Sequence, residues 1–413
     1  MPTPSRPRVR ALEAFPAPAD AVGDDPTAPR FALRDPEGLF DGLLLVTAAV
    51  LEVLRLCDGT RTPAAVAAAL GAATGGRVPA ADVEALLDEL SAALVLEGPA
   101  VEAARAAALA AYRAAPARAA ACAGASYPDD PAACRRFLDA ALDAAGDLDL
   151  PDRVVAVVAP HIDLRGGGPC HGAAARALAR CAADTFVVLG TAHAPLRRPF
   201  ALTTRDFATP VGTVRTDRDL VARLAARGGG GLLDDELAHR EEHSVEFQAL
   251  WLAHLFAGRR DVSIVPVLVG SLHARLADGR PARDDARVAD VVDALTELVA
   301  ERGDRVALVA SVDLAHVGPK YGDAAPVTPA RLAEVLAADR VLLDHAVAVA
   351  PDAWLRALHA ERDARNVCGA APTWALLETL RDRGLRGTVL RHDAWEIDPA
   401  TSSHVSFAAV AYA

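Results

Sequence analysis

The stretch Val154–Gly168, VVAVVAPHIDLRGGG, decides the fold. Residues 154–158 form a nearly continuous β-branched run, which suits a strand covered on both faces. The run leads into Pro160, His161 and Asp163 and then into three glycines. Such strands belong to open α/β sheets, where ligands bind just beyond the strand carboxyl ends. Taken alone, His161 reads more simply as a loop histidine that caps a turn. The arrangement recurs, however. The strand over 186–190 ends in Thr191-Ala192-His193, and the strand over 305–311 leads through Asp313 to His316. If the three strands are neighbours and parallel, their histidines converge at one edge of the sheet.

Outward from these strands, residues 151–413 alternate strand and helix. Further strands are predicted over 262–269, 387–391 and 404–412. Helices are predicted over 172–182, 217–227, 244–256, 285–302, 328–348, 351–361 and 370–383. This is the grammar of an α/β fold with a largely parallel central sheet sandwiched by helices. Residues 1–28 are Pro-rich and read as an extended arm, and 99–150 read as a helical connector without chemistry. Residues 29–98 read as a small module. Short strands at 31–33, 43–46 and 94–96 surround three helices, which begin at Ala48, Pro63 and near Pro79. Thr47 and Thr62 are placed to cap the first two.

The chain has 413 residues with a formal net charge of −12, which argues against a general nucleic-acid binder but leaves room for a local basic patch. No apolar run suits a membrane span, and the N-terminus lacks the apolar core of a signal peptide. Six cysteines at 57, 122, 134, 170, 181 and 368 form no CxxC pair. Free thiols in a reducing cytoplasm are the expectation. Cys368 differs from the others because it immediately precedes a predicted helix at Ala370. A helix N-terminus stabilises a thiolate, so Cys368 is a candidate metal ligand or nucleophile. His243, Ser244 and Glu246 open the amphipathic helix 244–256. His243 and Glu246 could support a site from behind, but an N-cap and an exposed helical face explain them more simply. No GxSxG elbow supports a serine hydrolase, and the glycine run lacks the spacing of a nucleotide-binding loop.

Five blocks then stand in order: APHID (159–163), LGTAHAP (189–195), EHSVEFQ (242–248), SVDLAHVG (311–318) and NVCGAAP (366–372). With the VPVLVG strand among them, the region 151–413 resembles the MEMO family, whose bacterial members are often described as AmmeMemoRadiSam system protein B. The resemblance implies a fold shared with class III extradiol dioxygenases, in which two His and one Glu hold Fe(II). In the MEMO family a Cys replaces that Glu. Carried over by motif, His161, His193 and Cys368 are the metal ligands, and His316 with Asp313 is the acid/base pair. The implied cofactor is one divalent metal, Fe(II) first, with Cu or Zn also suited to a softer thiolate. The implied substrate is a small molecule or O₂, and ring cleavage does not follow from the fold alone. The family's PHAGY and SHH motifs read PHID and TAHAP here, so Asp163 could add charge in the pocket. In the N-terminal module, FALRDPEGL and LCDGTRT resemble PqqD-like domains, which have a winged-helix fold. That likeness implies a peptide or a radical-SAM protein as partner. The competing expectation is a non-catalytic accessory, peptide-binding or metal-handling protein.

Overall fold

The computed structural model describes residues 5–17 and 30–413. The chain divides into two units at Ala114/Ala115. In the first unit, β1 (Glu13–Pro16), β2 (Arg30–Arg34) and β3 (Leu43–Thr47) make an antiparallel sheet in that order. Helices α1 (Ala48–Leu56), α2 (Pro63–Thr74), α3 (Ala80–Ala92) and α4 (Pro99–Ala114) follow. Thr47 and Thr62 cap α1 and α2, and Pro63 opens α2, where its missing N–H costs nothing. Leu33, Val46, Leu54, Val66 and Leu87 fill one small core. Of the arm expected over 1–28, residues 1–4 and 18–28 lie outside the described residues, while Glu13–Pro16 pairs with β2 as a strand. The strand expected over 94–96 reduces to a single bridge between Leu96 and Val9. The connector is divided: 99–114 belongs to the first unit and 115–150 to the second.

The second unit is built on a ten-stranded sheet. In chain order its strands are β4 (Ala156–Ala159), β5 (Thr185–Thr191), β6 (Phe200–Leu202), β7 (Phe207–Thr209) and β8 (Gly212–Thr216). Then come β9 (Ser263–Val269), β10 (Val306–Ser311), β11 (His316–Val317), β12 (Gly387–Asp398) and β13 (Ser403–Tyr412). The central path β4-β10-β5-β9-β8 is parallel throughout, and antiparallel strands finish both edges. Alternate residues of each strand face opposite cores. On β5, Val187 and Leu189 face one side, and Phe186 and Val188 face the other. The first core is covered by α7 (Arg218–Arg227), α10 (Ala286–Arg302), α11 (Pro329–Val347), α12 (Pro351–Ala360) and α13 (Ala370–Leu380). The second is covered by α5 (Pro131–Ala144), α6 (Leu164–Leu178) and α8 (His243–Phe256). A short α9 (His273–Asp278) follows β9. Among the described residues no helix is long and apolar enough to cross a membrane.

Helix α6 starts earlier than the helix expected over 172–182. The glycines at 166–168 lie in the first turns of a helix that Asp163 caps. Close packing is the reason. A Cβ at Gly166 would sit 2.0 Å from the Trp395 ring, and one at Gly167 would sit 2.2 Å from Ile162. Gly172 presses against the backbone of α5, where a Cβ would lie 2.0 Å from the Ala141 carbonyl oxygen. The helix thus lies closer to its neighbours than side chains allow. Gly168, in contrast, has 3.8 Å to its nearest neighbour. Gly172→Ala is therefore expected to lower unfolding stability by about 1–3 kcal/mol through overpacking. Gly168→Ala should be neutral or stabilising by up to about 1 kcal/mol from helix propensity. Urea denaturation of the two variants beside the wild type separates these outcomes, and equal effects would show that the glycines are not packing contacts.

Candidate metal centre

Strands β4, β10 and β5 are neighbours and parallel, with Ser311 opposite both Ala159 and Gly190. Their carboxyl ends therefore lie side by side and bring together the residues that follow them. His161 leaves β4 through Pro160 and is 2% exposed. Its Nδ1 donates to the Ser311 carbonyl oxygen at 2.9 Å, because a carbonyl can only accept. The lone pair is therefore on Nε2. His193 leaves β5 and is half-buried. Its Nδ1 lies 3.0 Å from Glu242 Oε1, and its backbone N–H donates to Glu242 Oε2 at 2.9 Å. A carboxylate acceptor again leaves the lone pair on Nε2.

The third imidazole is His243, the first residue of α8. It stacks on His193 with ring centroids 4.6 Å apart. Its centroid is 5.1 Å from that of His161. One ring nitrogen from each of His161, His193 and His243 falls within a 4.8 Å cluster, a group able to hold a metal ion. The cap of α8 is Glu242, not His243. Its carboxylate caps the helix through Ser244 N and also holds His193, which leaves His243 facing the other rings. His243 is thus part of the cluster itself. Glu246 is not on an exposed face either. It is fully buried, ion-paired with Arg118, and accepts from Ala121 N, Cys122 N and Tyr127 OH.

Cys368 Sγ lies 3.4 Å from His161 Nε2. That matches about 3.5 Å, the spacing of a nitrogen and a sulfur ligand on one tetrahedral ion. The loop that carries Cys368 is strained, with Arg362, Asp363 and Asn366 all at positive φ. Gly369 donates to the Asp313 carbonyl at 3.0 Å and leaves no room for a Cβ, which would lie 2.4 Å from that oxygen. The Trp354 indole N–H anchors the next residue through the Ala370 carbonyl at 3.0 Å. Burial, aided by nearby Asp313, pushes the Cys368 thiol well above its ordinary value.

Asp313 is 2% exposed, and its carboxylate accepts from the His161 and Ile162 backbone amides at 3.1 and 3.0 Å. Burial raises it to about 7, against those hydrogen bonds. It does not fix the His316 tautomer, because His316 Nδ1 instead faces the Leu314 carbonyl at 3.1 Å. His316 lies edge-on to Tyr321 and lines a cavity of about 370 Å³ together with His193 and Cys368. Burial lowers His316 to about 4, so the ring is neutral at pH 7. Burial lowers His161 well below its ordinary value and takes His243 to about 4. Asp163 caps α6 and is bound by Arg165 at 2.7 Å.

Glu242, Gln248, Ser311 and Arg118 complete the support, and sequence reasoning does not single them out. Gln248 Nε2 donates to the Pro160 carbonyl and to Ser311 Oγ, both at 2.9 Å. A signal for two of them is present in EHSVEFQ: Glu242 and Gln248 flank a helix start in a block dense in polar residues.

An α/β protein with imidazoles and a thiol gathered at the carboxyl ends of neighbouring parallel strands is the class that fold and site define. The sequence model of the family described as Memo-like protein matches residues 118–411, and the chain belongs to that family. A MEMO1 family protein of Aquifex aeolicus is 25% identical over 392 residues, covering 94% of this chain and 97% of its own. One from Thermus thermophilus is 30% identical over 271 residues, 65% of this chain and 75% of its own. One from Methanopyrus kandleri is 28% identical over 307 residues, 71% of this chain and 98% of its own. The Aquifex match is longer than the second unit, so it continues into the first.

Glu242 sets a pH dependence. Burial alone would raise its carboxyl, but His193, His243 and the hydrogen bonds hold it below the ordinary 4.5. The unfolded chain then binds the extra proton, so this stability is present above about pH 4.5 and is lost as the pH falls below it. The urea midpoint of the metal-free wild type should fall more steeply between about pH 6 and pH 3 than that of Glu242→Gln. Parallel profiles would show that the carboxylate is not held in its charged form.

Proposed function

We propose that this chain is a redox metalloprotein that holds one divalent metal at His161, His193 and Cys368, with His243 at the same centre. The observation that carries the reading is the donor set. Two imidazoles have Nδ1 committed to oxygen acceptors, so their Nε2 lone pairs remain for an ion, and a thiol stands 3.4 Å from one of them. Nitrogen and sulfur donors fit Fe(II), Cu or Zn and disfavour Mg or Ca. Fe(II) is the first choice because the family resemblance implies a fold shared with class III extradiol dioxygenases. Bound Fe or Cu would supply redox and Lewis-acid chemistry for O₂ or a small substrate.

The protein's own residues then divide the work. Ser311 and Glu242 orient the two histidines, and Gly369 places Cys368. His316, neutral at pH 7, accepts a proton at Nε2 in the adjoining cavity, with its other nitrogen facing Leu314. A second reading has a specific observation behind it. β3 is an edge strand that exposes Leu43 and Leu45, at 43% and 38%, a surface suited to adding a peptide strand. On that account the chain is a peptide-binding accessory of a radical-SAM system.

Anaerobically purified protein should carry about one equivalent of Fe or Cu. Cys368→Ala and His161→Ala should each lose most of it. His243→Ala should weaken binding less if Cys368 is the third ligand, and more if it is not. Wild-type protein that refuses Fe(II), Cu(I) and Zn(II) on titration would sink the metalloprotein reading. A second readout is the proton count. The imidazoles of His161 and His243 are already neutral at pH 7, whereas the raised Cys368 thiol must lose a proton to bind. Calorimetry in two buffers should therefore show about one more proton released per metal by the wild type than by Cys368→Ala, with affinity rising as pH rises.

A further inference from the structure

A second cavity, of about 700 Å³, opens beyond the carboxyl ends of β5 and β9. It shares His193, Ala192 and Leu272 with the cavity that holds Cys368 and His316, so one molecule could reach both. Its walls carry five arginines, at 197, 198, 275, 280 and 287, against two carboxylates, Asp278 and Asp285. In a chain with 55 acidic and 43 basic residues, that concentration runs against the average.

The ion pairs do not cancel it. Arg197 is neutralised by Asp235 at 2.7 Å. Asp285 is shared by Arg287 at 2.7 Å and Arg275 at 3.5 Å, so one carboxylate serves two guanidinium groups. Arg280 reaches Asp278 only at 4.0 Å, with both side chains more than half exposed. Among the described residues Arg198 pairs with no carboxylate, and it packs over Gly231, where a Cβ would lie 2.4 Å from its Nε. Four arginines therefore face two acids. The volume is that of a small-molecule site, and guanidinium forks match oxyanions in shape and charge.

We propose that this cavity binds the oxyanion end of a small organic substrate, a carboxylate or a phosphate monoester. Arg198, Arg275, Arg280 and Arg287 take the anion and point the rest of the molecule toward His193. The inference rests on the metal-centre reading for the direction of the substrate, but anion binding itself needs no metal. This separates the two in the test.

The experiment is calorimetric titration of the full chain, metal-free and metal-loaded, with phenyl phosphate, benzoate and inorganic phosphate, and with benzyl alcohol as the neutral control. At least one anion should bind the metal-free protein, benzyl alcohol should not, and added salt should weaken binding. Arg198→Gln and Arg280→Gln should each lose about tenfold or more in affinity, as expected for a charged contact. Both side chains lie at the cavity wall, and an unchanged thermal midpoint confirms folding. A preference between phenyl phosphate and benzoate identifies the oxyanion. No anion binding to either form, or arginine variants that bind like wild type, overturns the inference. Metal binding without anion binding overturns this inference alone. Anion binding in a protein that takes no metal supports the cavity and overturns the metal centre.

Discussion

The commitment of two Nδ1 atoms to buried oxygens is the constraint on which the site depends. An imidazole that donates from Nδ1 has its lone pair on Nε2, so the acceptor decides which atom faces the cluster. For His161 the acceptor is the Ser311 carbonyl, which belongs to the last residue of β10. For His193 it is Glu242, the cap of α8. One tautomer is thus set by the sheet and the other by a helix. The two agree only if α8 is fixed on the strand ends. Short hydrogen bonds do this: Ser311 Oγ donates to the Ser244 carbonyl at 2.6 Å, and Ser244 Oγ donates to the Thr191 carbonyl at 2.9 Å. Gly190 permits the approach, since a Cβ there would lie 2.6 Å from Ser244 Oγ. These groups are buried, so breaking any one of the bonds would strand a desolvated polar atom, at a cost of about 1–3 kcal/mol.

Beneath that layer lies the Arg118–Glu246 pair, both side chains wholly buried. Isolated burial of either charge would be prohibitive. Here the guanidinium also donates to the carbonyls of His239, Ala119 and Glu242, and the carboxylate takes two backbone amides and Tyr127. The pair is a clasp between residues 118–127 and the first turns of α8. Through the Glu242 carbonyl it touches the same residue whose carboxylate holds His193. Removing one partner strands the other charge inside the protein, which is more damaging than the pair is stabilising. The family match begins at Arg118, where this clasp begins.

The parts of this arrangement legible in the sequence are those fixed by local pattern. β-branched runs mark β4, β5, β9 and β10 because buried parallel strands need apolar residues on both faces. Polar residues just past their ends mark the site. What local pattern hides depends on partners far away in the chain. The glycines at 166 and 167 look like a loop until Trp395 and Ile162 are seen against them. Glu246 looks like an exposed helical residue because its partner Arg118 is 128 positions earlier. His243 is obscured by a one-residue ambiguity: a cap at Glu242 instead of His243 turns the ring from solvent toward His161. The short strands β6, β7 and β8 carry too few residues to show a period. The burial that raises the Cys368 thiol is likewise a property of the whole fold and has no local signal in the sequence.

The electrostatics of the second unit follow from where charge is left uncompensated. At the cluster the imidazoles of His161 and His243 are neutral at pH 7, the thiol is protonated, and the ionised Glu242 is already held by His193 and Ser244. A bound cation would therefore be the largest local charge and would invert the thiol's preference for its proton. On the far side of His193, guanidinium groups outnumber carboxylates along the cavity wall. Focusing by low-dielectric walls strengthens such a field within a cleft. His193 stands between the two regions and is the one cluster histidine that lines both cavities. Its tether to Glu242 thus fixes the nitrogen presented by the one ring that both cavities share.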